Sequence, residues 1–118
     1  MKTAKTDNLI YVVTGRFQDR HGDEGLNGPE LFSTIDKAAK YLAEQAEEFI
    51  KYHNGLHKDG TIDYDTVDSI DDDQGDTDDS ILAAKDILPY VQKNHAIDIN
   101  IDGEGTWSNW EIFYETVQ

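Results

Sequence analysis

The chain has 118 residues, a net charge of −15 at pH 7 and no cysteine. This length predicts a single domain with one core, and the lack of cysteine excludes disulfides, thiolate metal sites and cysteine nucleophiles. The acidity disfavours direct binding to nucleic acid or to an anionic membrane, because those partners require a basic surface.

The first predicted element is a strand over residues 8–17. Its β-branched and aromatic residues occur at both odd and even positions, which point to opposite faces of a strand. This pattern predicts a strand covered on both faces and central in its sheet. Residues 1–7 are predicted to be a disordered tail. Residues 18–29 are polar and rich in glycine, so we expect a turn or a long hairpin loop there, followed by a short returning strand at 30–33.

The clearest periodic signal is a helix predicted over residues 34–53. Ser33 lies three residues before Asp36, a pattern like a capping box with aspartate in place of glutamate. Asn54 and Gly55 tolerate a left-handed backbone and are expected to end the helix. One apolar stripe at helical spacing is predicted to face the core, formed by Ile35, Ala38, Ala39, Leu42, Ala46, Phe49 and Ile50.

Two elements are predicted between this helix and residue 95. Residues 60–70 alternate weakly between polar and apolar side chains and are interpreted as an edge strand. Residues 78–94 have a helical pattern, with Asp79 or Ser80 as the N-cap. Pro89 predicts a kink there, or a division into two short helices.

The last predicted element is a hairpin. Ile97, Ile99 and Ile101 alternate with polar residues, which is typical of an antiparallel strand with one wet face. Glycines then predict a turn, and residues 110–117 predict the returning strand. All elements together predict an α+β fold with an antiparallel or mixed sheet of three to five strands, two helices on one face and a C-terminal β-hairpin.

The negative charge is concentrated in one segment. Residues 1–58 carry nine acidic and eight basic residues, whereas residues 59–80 carry ten aspartates and no base. We predict an acidic loop over 68–79, because its aspartates are mixed with Gln, Gly, Thr and Ser and lack a periodic apolar face. A mobile loop of this kind can serve solubility or spacing alone.

The same concentration of negative charge also has two functional interpretations. A rigid array of carboxylates would imitate the phosphates of a nucleic acid and so inhibit a DNA- or RNA-binding enzyme. A cation such as Ca²⁺ would instead be held by carboxylate oxygens. The twelve-residue calcium loop fits poorly, because a loop starting at Asp71 has Gly75 at position 5 and one starting at Asp98 has Asn109 at position 12.

The sequence contains no P-loop, dinucleotide fingerprint, nucleophile elbow or HExxH motif. His53 and His57 have the spacing of a helical metal pair, but Gly55 interrupts the helix between them. His53 is better interpreted as interacting with the helix dipole. We therefore predict no catalytic residues, no cofactor and no metal ligands.

The charge distribution predicts a non-catalytic protein-binding module, monomeric or weakly dimeric, whose partner has a basic surface. No run approaches the ~18 apolar residues of a membrane span, and no signal-peptide pattern occurs at the N-terminus, so we expect a cytoplasmic protein without a membrane partner. A nucleic-acid-mimicking inhibitor and a calcium-binding protein are the alternatives.

Trp107, beside a glycine turn, is a candidate interface anchor. The predicted binding residues are Asp63, Asp65, Asp68, Asp71, Asp72, Asp73, Asp76, Asp78, Asp79 and Trp107.

Overall fold

The computed structural model describes residues 9–72, 80–103 and 105–116, so the predicted tail at 1–7 lies outside the described residues. The strands are β1 (Leu9–Gln18), β2 (Glu24–Phe32), β3 (Val67–Asp71), β4 (Ala96–Ile101) and β5 (Thr106–Thr116), and the helices are α1 (Ile35–Tyr52) and α2 (Ile87–Asn94). One antiparallel sheet has the order β2-β1-β5-β4-β3. This architecture confirms the predicted α+β class, and β4 and β5 form the predicted C-terminal hairpin.

β1 is an inner strand of the sheet, as the apolar residues on both of its faces predict. Val13 faces the helices and belongs to the main core. Val12 points to the opposite side, where it is only 5 % exposed because Leu31 of β2 and Phe113 of β5 lie directly beside it. We call this second side of the sheet, opposite the helices, the open face.

β2 corrects part of the prediction over 18–29, because the turn of the β1–β2 hairpin occupies only residues 19–23 and residues 24–29 belong to the strand. It pairs with β1 from Tyr11–Phe32 to Gln18–Glu24, with a register shift beside the cis peptide bond between Gly28 and Pro29. Most of its side chains are exposed, because it is an edge strand. Pairing uses main-chain groups and needs no apolar side chains, so a polar, glycine-rich sequence can form this strand.

α1 begins one residue later than predicted, and its N-cap is Thr34 instead of Ser33. The Thr34 hydroxyl accepts a hydrogen bond from the Lys37 backbone N–H at 3.2 Å, which satisfies one of the free donors of the first turn. The predicted stripe is buried at Ala38, Ala39, Leu42, Ala46 and Ile50. Asn54, with φ of 61°, follows the helix as expected.

α2 is shorter than the helix predicted over 78–94. Residues 80–83 are not helical, so Ser80 is not its N-cap, and Asp79 lies outside the described residues. A 3-10 turn at Ala84–Asp86 leads into Ile87. Pro89 is the third residue of α2, where a backbone N–H has no intrahelical acceptor, so it replaces no helical hydrogen bond there.

β3 is the predicted edge strand, although it begins only at Val67. Its last four residues belong to the segment predicted as an acidic loop, and that prediction is therefore wrong over 68–71. Val67 and Ile70 are fully buried. Their burial against the core explains why the segment is ordered in spite of its charge.

The core lies between the helices and one face of the sheet. Its largest fully buried side chains are Leu42, Ile50, Ile70, Ile81, Ile87, Ile97, Ile99, Val13, Val67 and Val91. Among the helices that the structure describes, none is long and apolar enough to cross a membrane.

Candidate functional site

Asp63 and Asp65, the first two predicted binding residues, lie in the turn before β3. One carboxylate oxygen of Asp63 accepts from the Asp65 backbone N–H at 2.9 Å, and the other accepts from the Thr66 hydroxyl at 3.3 Å. Such local bonds are the usual role of aspartate in a turn. Asp63 therefore shapes the entry to β3, while the side chain of Asp65 is exposed.

Asp59, the first of the ten clustered aspartates, is also engaged locally. Its carboxylate accepts the Thr61 hydroxyl at 2.7 Å and the Thr61 backbone N–H at 3.0 Å. These hydrogen bonds to the charged form, the hydroxyl first, lower the pKa of Asp59 below its ordinary value of 3.8. Part of the acidic segment thus forms hydrogen bonds within its own turns.

Of the remaining predicted aspartates, three lie in or beside β3 and four lie outside the described residues. Asp68 is exposed at a register shift between β3 and β4. Asp71 ends β3 and Asp72 follows it, and both are partly buried. Asp73, Asp76, Asp78 and Asp79 lie outside the described residues.

Strand pairing brings Asp71 and Trp107 to the lining of one pocket, although 35 residues of sequence separate them. Asp71 of β3 lies opposite Asp98 of β4, and Asn100 of β4 lies opposite Trp107 of β5. Directly opposite residues in an antiparallel pair have Cβ atoms about 4.5–5.5 Å apart. We call the shallow site of about 320 Å³ on the open face the acidic pocket; its lining includes Asp71, Asp98, Asn100, Trp107 and Asn109.

The carboxylate of Asp71 is held in place by its neighbours. The Asn100 side-chain amide donates to Asp71 Oδ2 at 3.2 Å and to the Ser69 hydroxyl at 3.0 Å. The Ser69 hydroxyl donates to the same Asp71 oxygen at 3.2 Å. A carboxylate fixed in this way loses little side-chain entropy when it binds a ligand.

The arrangement suits a cationic group. Asp71 and Asp98 lie opposite each other on paired strands, so both carboxylates attract a cation placed beside them. A guanidinium group can bond to carboxylates with two parallel N–H groups, and it also stacks on the face of a tryptophan. The partly buried Trp107 supplies such a ring in the same pocket.

Asp98 and Asn100 were absent from the predicted binding residues. The alternation of apolar and polar residues in β4 does place Asp98 and Asn100 on the open face of the sheet. Their proximity to Asp71 and Trp107, however, depends on the register of three strands, which the sequence of one strand does not specify.

The described histidines do not form a metal site. His53 is the C-cap of α1 and its ring packs on Phe49, with the ring centroids 4.7 Å apart, whereas His57 is exposed. Within residues 9–72, 80–103 and 105–116, no three His, Asp or Glu side chains converge into a group that could hold a metal ion. The calcium alternative stays a prediction.

Comparison of the chain with protein-family models, with curated proteins and with solved structures gives no match. Function is therefore inferred from the geometry of this chain itself.

Proposed function

We propose that the protein is a non-catalytic binding module that engages a basic surface of a partner protein through the acidic pocket. The observation that supports this proposal is the convergence of Asp71, Asp98 and Trp107 on the open face. Paired strands carry all three residues, so the site is formed before the partner arrives. Preorganisation of this kind reduces the entropy lost on binding.

The charge of the whole chain supports the same kind of partner. A net charge of −15 attracts a basic protein over distances of a Debye length, about 8 Å at physiological ionic strength, and raises the association rate. The acidic pocket then provides the local contact. Arginine fits it better than lysine, because a planar guanidinium combines stacking on Trp107 with paired hydrogen bonds to a carboxylate.

The test is a ¹H–¹⁵N NMR titration with a blocked oligo-arginine peptide. We expect the largest shift changes at the indole N–H of Trp107 and at the amides of Asp71 and Asp98, with weaker binding of an oligo-lysine peptide of equal length. Asp98→Asn should weaken arginine-peptide binding by about tenfold, as expected for loss of one charge-assisted hydrogen bond.

Glu115→Gln is the matched control. Glu115 is an exposed carboxylate on β5, opposite Ile10, and its replacement removes the same formal charge at the other end of the open face. We expect it to change affinity by less than about twofold. Equal losses in the two variants would contradict the proposal, because net charge alone would then explain binding.

Nucleic-acid mimicry is the second candidate, and it is supported by one observation. Mimicry requires carboxylates held in fixed positions, and Asp71 and Asp98 lie on paired strands. In fluorescence anisotropy of nuclease–DNA complexes, release of DNA by the wild-type protein but not by Asp98→Asn would favour mimicry. Retention of DNA, together with binding of the arginine peptide, would favour the binding module.

A further inference from the structure

A second cavity lies on the helix side of the sheet, separate from the acidic pocket. It has a volume of about 450 Å³ and lies between the C-terminal half of α1 and the adjoining ends of β1 and β5. This volume is within the range of pockets that hold small molecules. We call it the α1 pocket; its lining includes Phe17, Asn27, Phe49, Thr106, Ser108 and Trp110.

Thr106 contributes an unsatisfied hydroxyl to this region. The residue is 3 % exposed, and its Oγ1 has no hydrogen-bond partner among the described residues. A buried hydroxyl without a partner destabilises the folded state, and such groups in native proteins call for an explanation. A ligand group that both donates and accepts would satisfy this oxygen and its proton.

Ser108 lies two residues further along β5 and therefore on the same face of the strand. It is 2 % exposed, and its Oγ accepts a hydrogen bond from the Asn27 amide at 2.9 Å. The Asn27 amide also donates to the backbone carbonyl oxygen of Asn109 at 2.9 Å. Hydrogen bonds between β2 and β5 thus hold Ser108 in place at the polar floor.

The walls of the α1 pocket are aromatic. Phe49 and Trp110 meet edge to face with ring centroids 6.0 Å apart, and Phe17 approaches from the end of β1. Flat apolar walls around a polar floor favour a planar ring with a hydrogen-bonding edge.

The polar and charged groups around the pocket disfavour charged ligands. Asp19 and Glu48 line it, and its described lining residues include neither lysine nor arginine. Carboxylates repel an anionic ligand. A cation placed at the floor would also be disfavoured, because the Thr106 and Ser108 hydroxyl protons need an acceptor there and a buried charge is costly.

We propose that the α1 pocket binds an uncharged planar ring that carries adjacent hydrogen-bond donor and acceptor groups, as an aromatic amide or a nucleobase does. The amide edge bonds to Thr106 Oγ1, and the ring lies against the aromatic lining formed by Phe17, Phe49 and Trp110. The α1 pocket and the acidic pocket lie on opposite sides of the sheet, and Ser108 lines both.

Three molecules of nearly equal shape test the proposal: benzamide, benzamidine and benzoate, which are neutral, cationic and anionic. In NMR titrations of the whole chain we expect benzamide to shift the Trp110 indole and Thr106 methyl signals with a Kd on the order of 10 mM, as its few atoms permit. Benzamidine should bind more weakly and benzoate most weakly. Benzamidine or benzoate binding at least as tightly as benzamide would overturn the assigned ligand class.

Thr106→Val is the decisive variant, because valine keeps the shape of threonine and removes the hydroxyl. Benzamide affinity should fall roughly three- to tenfold, as for the loss of one hydrogen bond. Thr14→Val, on the open face, is the control and should leave benzamide affinity unchanged. A cooperative thermal transition of Thr106→Val above the assay temperature establishes folding, and unchanged benzamide affinity in that folded variant would refute the proposal.

Discussion

Gly15→Ala tests the close contact between β1 and β5 on which the floor of the α1 pocket depends. A Cβ atom on Gly15 would lie 1.9 Å from the Asn109 carbonyl oxygen, 2.7 Å from its carbonyl carbon and 2.9 Å from the Trp110 Cα. Ordinary contact starts at 3.4 Å, so the oxygen must withdraw by about 1.5 Å. The missing side chain of Gly15 is what allows Asn27 to reach across β1 to β5.

A shift of that size breaks the hydrogen bonds that join the strands here. The Asn27 amide loses Asn109 O and Ser108 Oγ, both at 2.9 Å, and the Arg16 backbone N–H loses the Asn109 side-chain oxygen at 2.9 Å. At about 1 kcal/mol each, the loss is about 3 kcal/mol. Alanine restricts the unfolded chain more than glycine does, which stabilises the folded state by about 0.4–1 kcal/mol. We therefore expect a net destabilisation of about 2–3 kcal/mol.

The assay is urea unfolding followed by tryptophan fluorescence, with Trp110 directly beside the substitution. The midpoint should fall while the slope m stays constant, because the folded state remains compact. Gly22→Ala is the control: Gly22 has φ of 86° and no atom within 4 Å of an added Cβ, so only the backbone cost of about 1 kcal/mol applies. A Gly15→Ala protein no less stable than Gly22→Ala would refute the reasoning.

Three further predictions concern packing, capping and pH. Leu42→Ala removes a side chain with no exposure and should lower the free energy of unfolding by about 3–5 kcal/mol in urea titrations; a loss under about 1 kcal/mol would contradict its central place in the core. Thr34→Ala should cost about 1 kcal/mol, whereas Ser33→Ala should stay within about 0.5 kcal/mol of wild type, and the reverse order would restore Ser33 as the N-cap. Thr61→Val should raise the pKa of Asp59 toward 3.8 in a ¹³C carboxyl titration, because it removes the largest cause of the lowered value. The stability that the lowered pKa confers is present above the unfolded-state pKa and disappears as the pH falls through the folded-state value, so wild type and Thr61→Val should converge in stability at acid pH.

The sequence predicts those elements whose side chains repeat with the period of the structure. α1 has one apolar stripe over its whole length, and Ile97, Ile99 and Ile101 of β4 alternate with polar residues, so their faces follow from sequence. β2 has no such pattern, because an edge strand can form from main-chain hydrogen bonds while its side chains stay in solvent. Its glycines and polar residues therefore predict a loop.

The sequence predicts only part of each candidate site, because the rest depends on strand pairing and on tertiary packing. The concentration of charge predicts Asp71 as a binding residue, and the neighbouring glycine turn makes Trp107 a candidate anchor. Asp98 became part of the acidic pocket only through the pairing of β4 with both β3 and β5. The α1 pocket depends equally on tertiary structure, since Thr106 and Phe49 approach each other only when the sheet and helix pack.

The placement of β5 beside β1 governs how the chain can reach its native state. The pair Leu9–Thr116 joins opposite ends of the described chain, and contacts of such long sequence separation form slowly, because a large loop must be closed first. During translation the edge of β1 that pairs with β5 stays vacant until β5 leaves the ribosome. A nascent chain halted before residue 106 would thus expose unpaired main-chain groups and apolar surface, the conditions under which chains aggregate or require a chaperone.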